Sequence, residues 1–182
     1  MVEGLFFLFV TIALLYVSRA SLSRPRSHGF YRFFAWEFML VLFLLNVRVW
    51  FDDPFSAHQI LSWILLLASI PLALPGARSL IRKGKPGNVH RDEPLLAFEK
   101  TTVLVTDGIY RYIRHPLYSS LLFLNWGIFF KDPSLLGLSI AIASTMFLVL
   151  TARAEEKEDI DYFGEAYREY MSRSKRFVPY IL

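Results

Sequence analysis

The chain has 182 residues, enough for one ordinary domain, but 54% hydrophobic residues and a mean hydropathy of +0.39 are too apolar for a soluble one. The formal charge of +4 is modest, so its distribution matters more than its total, and nothing in it suggests a nucleic-acid-binding domain. The absence of cysteine excludes disulfides, thiolate metal ligands, a cysteine nucleophile and a prenyl group on this chain.

Taken in order, the apolar runs predict an all-α polytopic membrane protein with about five transmembrane helices and a C-terminal cytosolic amphipathic helix. Gly4 to Ser18 is charge-free and lacks the basic start and cleavage site of a secretory signal, so it reads as a first span. Arg19, Arg24, Arg26 and Arg32 follow in a linker without acidic residues, the composition of a cytoplasmic loop, which puts the N-terminus outside. Phe33 to Phe51 is a second span carrying Glu37 and Arg48. Arg48 and Asp52, one helical turn apart, are expected to form a weak interfacial pair. Glu37 either pairs with or snorkels toward the neighbouring arginines, or lines a polar site. Pro54 to Ala77 is a third, charge-free span, which Pro71 and Pro75 should kink or end.

The following basic stretch, from Arg78 to Arg114, agrees in sign with the first loop. It contains the turn-rich connector Lys83-Gly84-Lys85-Pro86-Gly87-Asn88. Leu117 to Phe130 is a fourth span, closed by Lys131-Asp132-Pro133, and Pro133 to Ala152 is a fifth. Arg153 to Met171 changes character: acidic residues crowd its start while Ile160, Phe163, Tyr167 and Tyr170 recur at helical spacing, predicting the amphipathic helix.

Between the third and fourth spans lies the most informative stretch, Thr101 to Ser120. Asp107-Gly108 is a turn signal ahead of Tyr110, and His115-Pro116 opens a helix, since proline's missing N–H costs nothing at the first helical position. Arg111, Arg114, His115 and Tyr118 are thereby grouped at the mouth of a helix. Taken singly, His115 reads as an interfacial histidine, Arg114 as a lipid-headgroup anchor, and Glu155-Glu156 as a solvated acidic run. The four histidines form no HxxH or HxxxH pair, which argues against a metal. Gly-rich phosphate loops and Gly-x-Ser-x-Gly are also missing.

In combination these pieces resemble a known family. Leu104-Val105-Thr106-Asp107-Gly108-Ile109-Tyr110, Arg114-His115-Pro116-Leu117-Tyr118, Glu155-Glu156, Phe163-Gly164 with Tyr167, and Arg176-Phe177-Val178-Pro179 occur in the order found in integral-membrane methyltransferases related to isoprenylcysteine carboxyl methyltransferase and phospholipid methyltransferases. The resemblance covers the C-terminal half. It implies a single domain over 1–182, with spans and a cytosolic loop in 1–100 and a cofactor-binding half in 101–182. It further implies S-adenosylmethionine as cofactor, held by Thr102, Val103, Leu104, Val105, Tyr110, His115, Pro116, Leu117, Tyr118, Glu155 and Glu156. Arg114, Tyr118 and Arg153 are the implied catalytic residues, with O-methylation of a lipophilic acceptor in the bilayer as the reaction, and neither metal nor nucleic acid as partner. A carboxylate such as Glu155 can accept hydrogen bonds from both ribose hydroxyls.

One position departs from the prenylcysteine pattern. Members that act on prenylcysteine carry an arginine four residues before the first glutamate, and here that residue is Thr151. Arg153, two residues on, points to a different helix face at ~100° per residue. Two other readings stay open: a nicotinamide-dependent membrane reductase of the sterol-reductase kind, and a non-catalytic scaffold with the same fold.

Overall fold

The computed structural model describes residues 2–84 and 101–178. The predicted connector residues Lys85 to Asn88 and the closing Pro179 lie outside the described residues. Six α-helices make up the described chain: α1 (Val2–Leu22), α2 (His28–Asn46), α3 (Ala57–Lys83), α4 (Pro116–Phe129), α5 (Leu135–Phe163) and α6 (Glu165–Arg173). Four of them, α1, α2, α3 and α5, are long and apolar enough to cross a membrane. Their outward faces carry Phe9, Ile12, Ile64, Leu67 and Met146 in the open, which a lipid surround accounts for and water does not.

Several predicted elements are redrawn. Ser27 caps α2 by accepting a hydrogen bond from the Phe30 N–H at 3.2 Å, so this helix starts at His28, five residues before the predicted Phe33. Pro71 and Pro75 do not end α3, which runs on to Lys83. Apolar spans tolerate such prolines because local adjustment and neighbouring groups re-satisfy the freed carbonyls. The amphipathic helix expected over Arg153 to Met171 is not one element: α5 continues unbroken to Phe163, and Gly164, at φ +61°, turns the chain into the short α6. A left-handed residue is a common helix terminator, and only glycine adopts it without a Cβ penalty.

The expected pair of Arg48 with Asp52 is replaced by a longer-range one, since Arg48 Nε donates to Glu3 Oε1 at 2.6 Å and ties the start of α1 to the 3₁₀ turn that follows α2. Among the described residues Glu37 pairs with no arginine, and it is absent from the wall of the cavity described below. It accepts a hydrogen bond from Thr11 Oγ1 at 3.0 Å, so it faces α1.

The helices alternate in direction. α2 packs on α5 and α3 on α4, which brings the end of α3, the start of α4 and the end of α5 to the same side. Close approach of α3 to α4 depends on Gly127, where a Cβ would fall 2.8 Å from Leu66 Cδ2, and Ser62 Oγ donates to the Gly127 carbonyl at 2.7 Å. At the opposite end Lys131, 1% exposed, donates from Nζ to Gln59 Oε1 at 3.0 Å and sits 3.5 Å from the Trp63 ring centroid. Burial lowers its pKa, and the aromatic face and amide substitute for lost water. With this end clamped, the polar cavity is confined to the other.

Candidate active site

The cavity has a volume of about 250 Å³. Its walls come from α2 (His28, Arg32, Trp36), the end of α3 (Leu80), the segment 101–121, the end of α5 (Glu155, Glu158, Asp159, Phe163) and α6 (Tyr167, Tyr170). Local sequence builds each wall. Gly108, at φ +61°, makes the turn that the Asp107-Gly108 signal predicts, and a 3₁₀ turn over Gly108–Arg111 then drives Tyr110 inward to 6% exposure. Asp107 is held by an ion pair to Lys83, so the turn is fastened to the end of α3. Pro116 occupies the first turn of α4 as predicted, and His115 before it, at φ −121° and ψ 61°, lies outside the helical region that a following proline disfavours.

His115 is the centre of the polar wall. It is 5% exposed, its Nδ1 lies 3.1 Å from Glu155 Oε2, and its Nε2 lies 3.4 Å from Glu156 Oε1. The ring stacks on Tyr118, with centroids 5.4 Å apart at 22°, and is tilted against Phe177. Burial by itself lowers the imidazole pKa, but the two carboxylates outweigh it and raise the group to about 9, so His115 is a cation at neutral pH.

Adjacent glutamates do different things because neighbours on a helix are ~100° apart. Glu155 faces the cavity, whereas Glu156 is absent from its wall. Instead Glu156 accepts from Arg114 Nε at 3.0 Å and from Arg176 at 3.0 and 2.6 Å. Arg114 also donates to the carbonyls of Met171, at 3.1 Å, and Ser174. Backbone bonds from Arg114 N–H to Lys175 and from His115 N–H to Arg176 complete the tie between the tail and the start of α4.

An aromatic floor closes the other side. Tyr170 donates to the Tyr110 carbonyl at 2.7 Å and meets Tyr167 edge to face at 5.8 Å. Burial raises the pKa of Tyr110, Tyr167 and Tyr170 above the ordinary phenol value, so all three stay neutral. These are apolar surfaces with a hydrogen-bonding tip.

Of the residues singled out in sequence, Leu104, Val105, Tyr110, Arg114, His115, Pro116, Leu117, Tyr118 and Glu155 line this one cavity. Thr102 and Val103 do not: both are exposed, and their N–H groups bond the Gly84 carbonyl. Arg153 is also elsewhere, on the outer face of α5. Sequence reading missed His28, Arg32 and Trp36, because α2 carries no motif. The one available signal was Glu158, an acid one turn beyond Glu155, which forms an ion pair with His28 Nδ1 and accepts from the His28 N–H at 2.9 Å.

The described residues form a helical, multi-pass membrane protein with a polar, aromatic-walled cavity at the ends of its helices. The comparisons all point to methyltransferases. Residues 93–168 match the model of the phospholipid methyltransferase family. A methanethiol S-methyltransferase from a Pseudomonas species is 35% identical over 39% of this chain and 26% of its own length. Methanethiol S-methyltransferase 1 of Bradyrhizobium diazoefficiens is 24% identical over 87% of this chain and 56% of its own. Human protein-S-isoprenylcysteine O-methyltransferase is 34% identical over 44% of this chain and 29% of its own. The chain thus spans between about a quarter and somewhat more than half of these relatives. No solved structure matches it significantly.

Proposed function

We propose that this chain transfers a methyl group from S-adenosylmethionine to a lipophilic acceptor at the membrane surface. The observation that carries the reading is Glu155: a carboxylate facing an aromatic-walled cavity, beside a cationic histidine, within the segment matched to the methyltransferase family. The donor set suits the cofactor. Glu155 is placed to accept from ribose hydroxyls, and Tyr110 and Tyr167 offer faces for a planar base. When bound, S-adenosylmethionine supplies a methyl carried on a sulfonium cation. The chain's own task is then largely positioning and water exclusion: an already ionised carboxylate gives up no proton, whereas a thiol or amine acceptor has to reach the site deprotonated. Arg114 and Tyr118 remain the proposed groups on the acceptor side; Arg153, outside the cavity, is withdrawn from that role.

The same reading takes α4 as the fifth pass. At 14 residues it rises only ~21 Å against a ~30 Å hydrocarbon core, yet it runs between α3 and α5 in an up-and-down order that a crossing requires. The cavity then faces the cytosol, where the arginines of the first loop lie, and the cofactor reaches it from water while the acceptor reaches it from lipid. Single cysteines at Ser27, Ser56 and Ser174 should be labelled by an impermeant thiol reagent in sealed cells only at Ser56. Labelling at Ser27 or Ser174 would reverse the orientation.

Two acceptor chemistries are represented among the relatives, a thiol and a prenylcysteine carboxylate. Thr151 is fully buried, its hydroxyl donating to the Phe147 carbonyl at 2.7 Å, so it offers nothing to a carboxylate. Farnesylcysteine should accordingly be a poor substrate. The test is label transfer from S-adenosylmethionine in proteoliposomes offered a farnesylcysteine analogue, a long-chain alkanethiol and total lipid extract. Methylation of the thiol or a lipid at least tenfold faster than farnesylcysteine is expected; absence of any labelled product would refute the enzyme reading.

A further inference from the structure

Arg153, which the reaction leaves unused, marks a second site. It stands at one end of a groove of about 330 Å³ on the outer face of the α4–α5 hairpin, lined by Trp126, Ile142, Thr145, Met146, Val149 and Leu150. This groove shares no residue with the cavity. Ile142, Met146, Val149 and Arg153 follow at helical spacing along α5, so the groove is a stripe with a cation at its tip. From Ile142 to Arg153 is eleven residues, ~16 Å of helix, close to half of a ~30 Å hydrocarbon core. The guanidinium is exposed and makes neither ion pair nor hydrogen bond among the described residues.

We infer that this groove binds one anionic phospholipid of the leaflet on the cavity's side, with an acyl chain along Val149, Met146 and Ile142 and the phosphate on Arg153. The length matches one leaflet, and the charge sits where a headgroup does. A second copy of the chain fits less well. Helix pairing in lipid relies on small residues that let backbones approach, and this stripe presents an indole, a methionine and branched side chains instead. An uncharged lipid would fill the apolar part but leave the arginine without its counter-charge.

Trp126 lies in the groove and reports contact with a brominated acyl chain by fluorescence quenching. The measurement is made on the full chain in phosphatidylcholine vesicles doped with phosphatidylglycerol or phosphatidylcholine brominated on the chain, and the groove signal is the part lost in Trp126→Phe. That part should respond to about fivefold less brominated phosphatidylglycerol than phosphatidylcholine, the value of one cationic contact near a membrane surface. Arg153→Gln should remove the preference while leaving the thermal midpoint within a degree or two, as expected for an exposed side chain. Equal quenching by both lipids in the unmodified protein would mean bulk annular lipid only and overturn the site. A preference that survives Arg153→Gln would overturn it as well, as would spontaneous disulfide dimers of Met146→Cys in the same vesicles, which would assign the groove to a second copy. The readout is independent of methyl transfer, so it stands or falls separately from the proposed reaction.

Discussion

Glu156→Ala is expected to destabilise the protein by about 3–5 kcal/mol, enough to remove most of the folded fraction from a marginally stable domain. The glutamate side chain is 6% exposed and the Arg114 side chain 9%, and Arg176 closes the cluster from the tail. Two guanidinium groups share one carboxylate, so deleting the acid leaves both cations short of their anion, and Arg114 in a place where water does not compensate. Losing the tail follows from the geometry: Arg176 is held through Glu156, and with it goes the neighbouring Phe177, which packs on His115. Glu156→Gln keeps the shape and some acceptor capacity, so it should lose roughly half as much. Thermal unfolding in detergent, with limited proteolysis of the tail as second readout, measures both. A midpoint for Glu156→Ala within a degree of the unmodified protein, with an unclipped tail, would show the cluster to be energetically idle.

This division of labour between adjacent glutamates was only half legible in the sequence. The pair stood out through the resemblance, but assigning both members to one cavity ignored the ~100° that separates neighbours on a helix. The same arithmetic, applied to Thr151 and Arg153, did correctly separate those two. Local chemistry was read well where it is local: the Asp107-Gly108 turn and Pro116 at the head of α4 each follow from one or two residues, whereas the place of Tyr110 in the cavity wall came from the resemblance. It failed where the outcome depends on what lies across the bundle. Arg48 finds Glu3, 45 residues away, in preference to Asp52, and Glu37 finds Thr11, because helix order decides these pairs. Composition also misled at the C-terminal end of α5. The sharp change from apolar to acidic residues suggested a new helix, yet a helix continues through any change of solvent until a residue breaks it, and the first to do so is Gly164.

Glu155→Ala and His115→Ala should each weaken binding of S-adenosylhomocysteine about ten- to a hundred-fold, while the Arg114–Glu156–Arg176 cluster keeps both variants folded. A charge-assisted hydrogen bond is worth ~1.5–3 kcal/mol, and 1.4 kcal/mol is a factor of ten. Glu155 supplies such a bond directly. His115 acts by holding Glu155 at 3.1 Å and by presenting its ring to the cavity. The pair also sets a pH dependence. His115 is raised from 6.5 to about 9 in the folded state, so its contribution to stability is complete below pH 6.5 and is lost as pH rises through about 9. That difference corresponds to at most about 3 kcal/mol. Melting temperature should therefore fall between pH 7 and pH 9.5 in the unmodified protein, and the fall should be much smaller in His115→Ala. Calorimetric titration with S-adenosylhomocysteine at pH 7 and thermal scans across that range separate the two roles. If both variants bind as tightly as the unmodified protein, the cofactor does not sit against this wall; if only the pH dependence is missing, His115 is neutral and positions Glu155 as a simple hydrogen-bond donor.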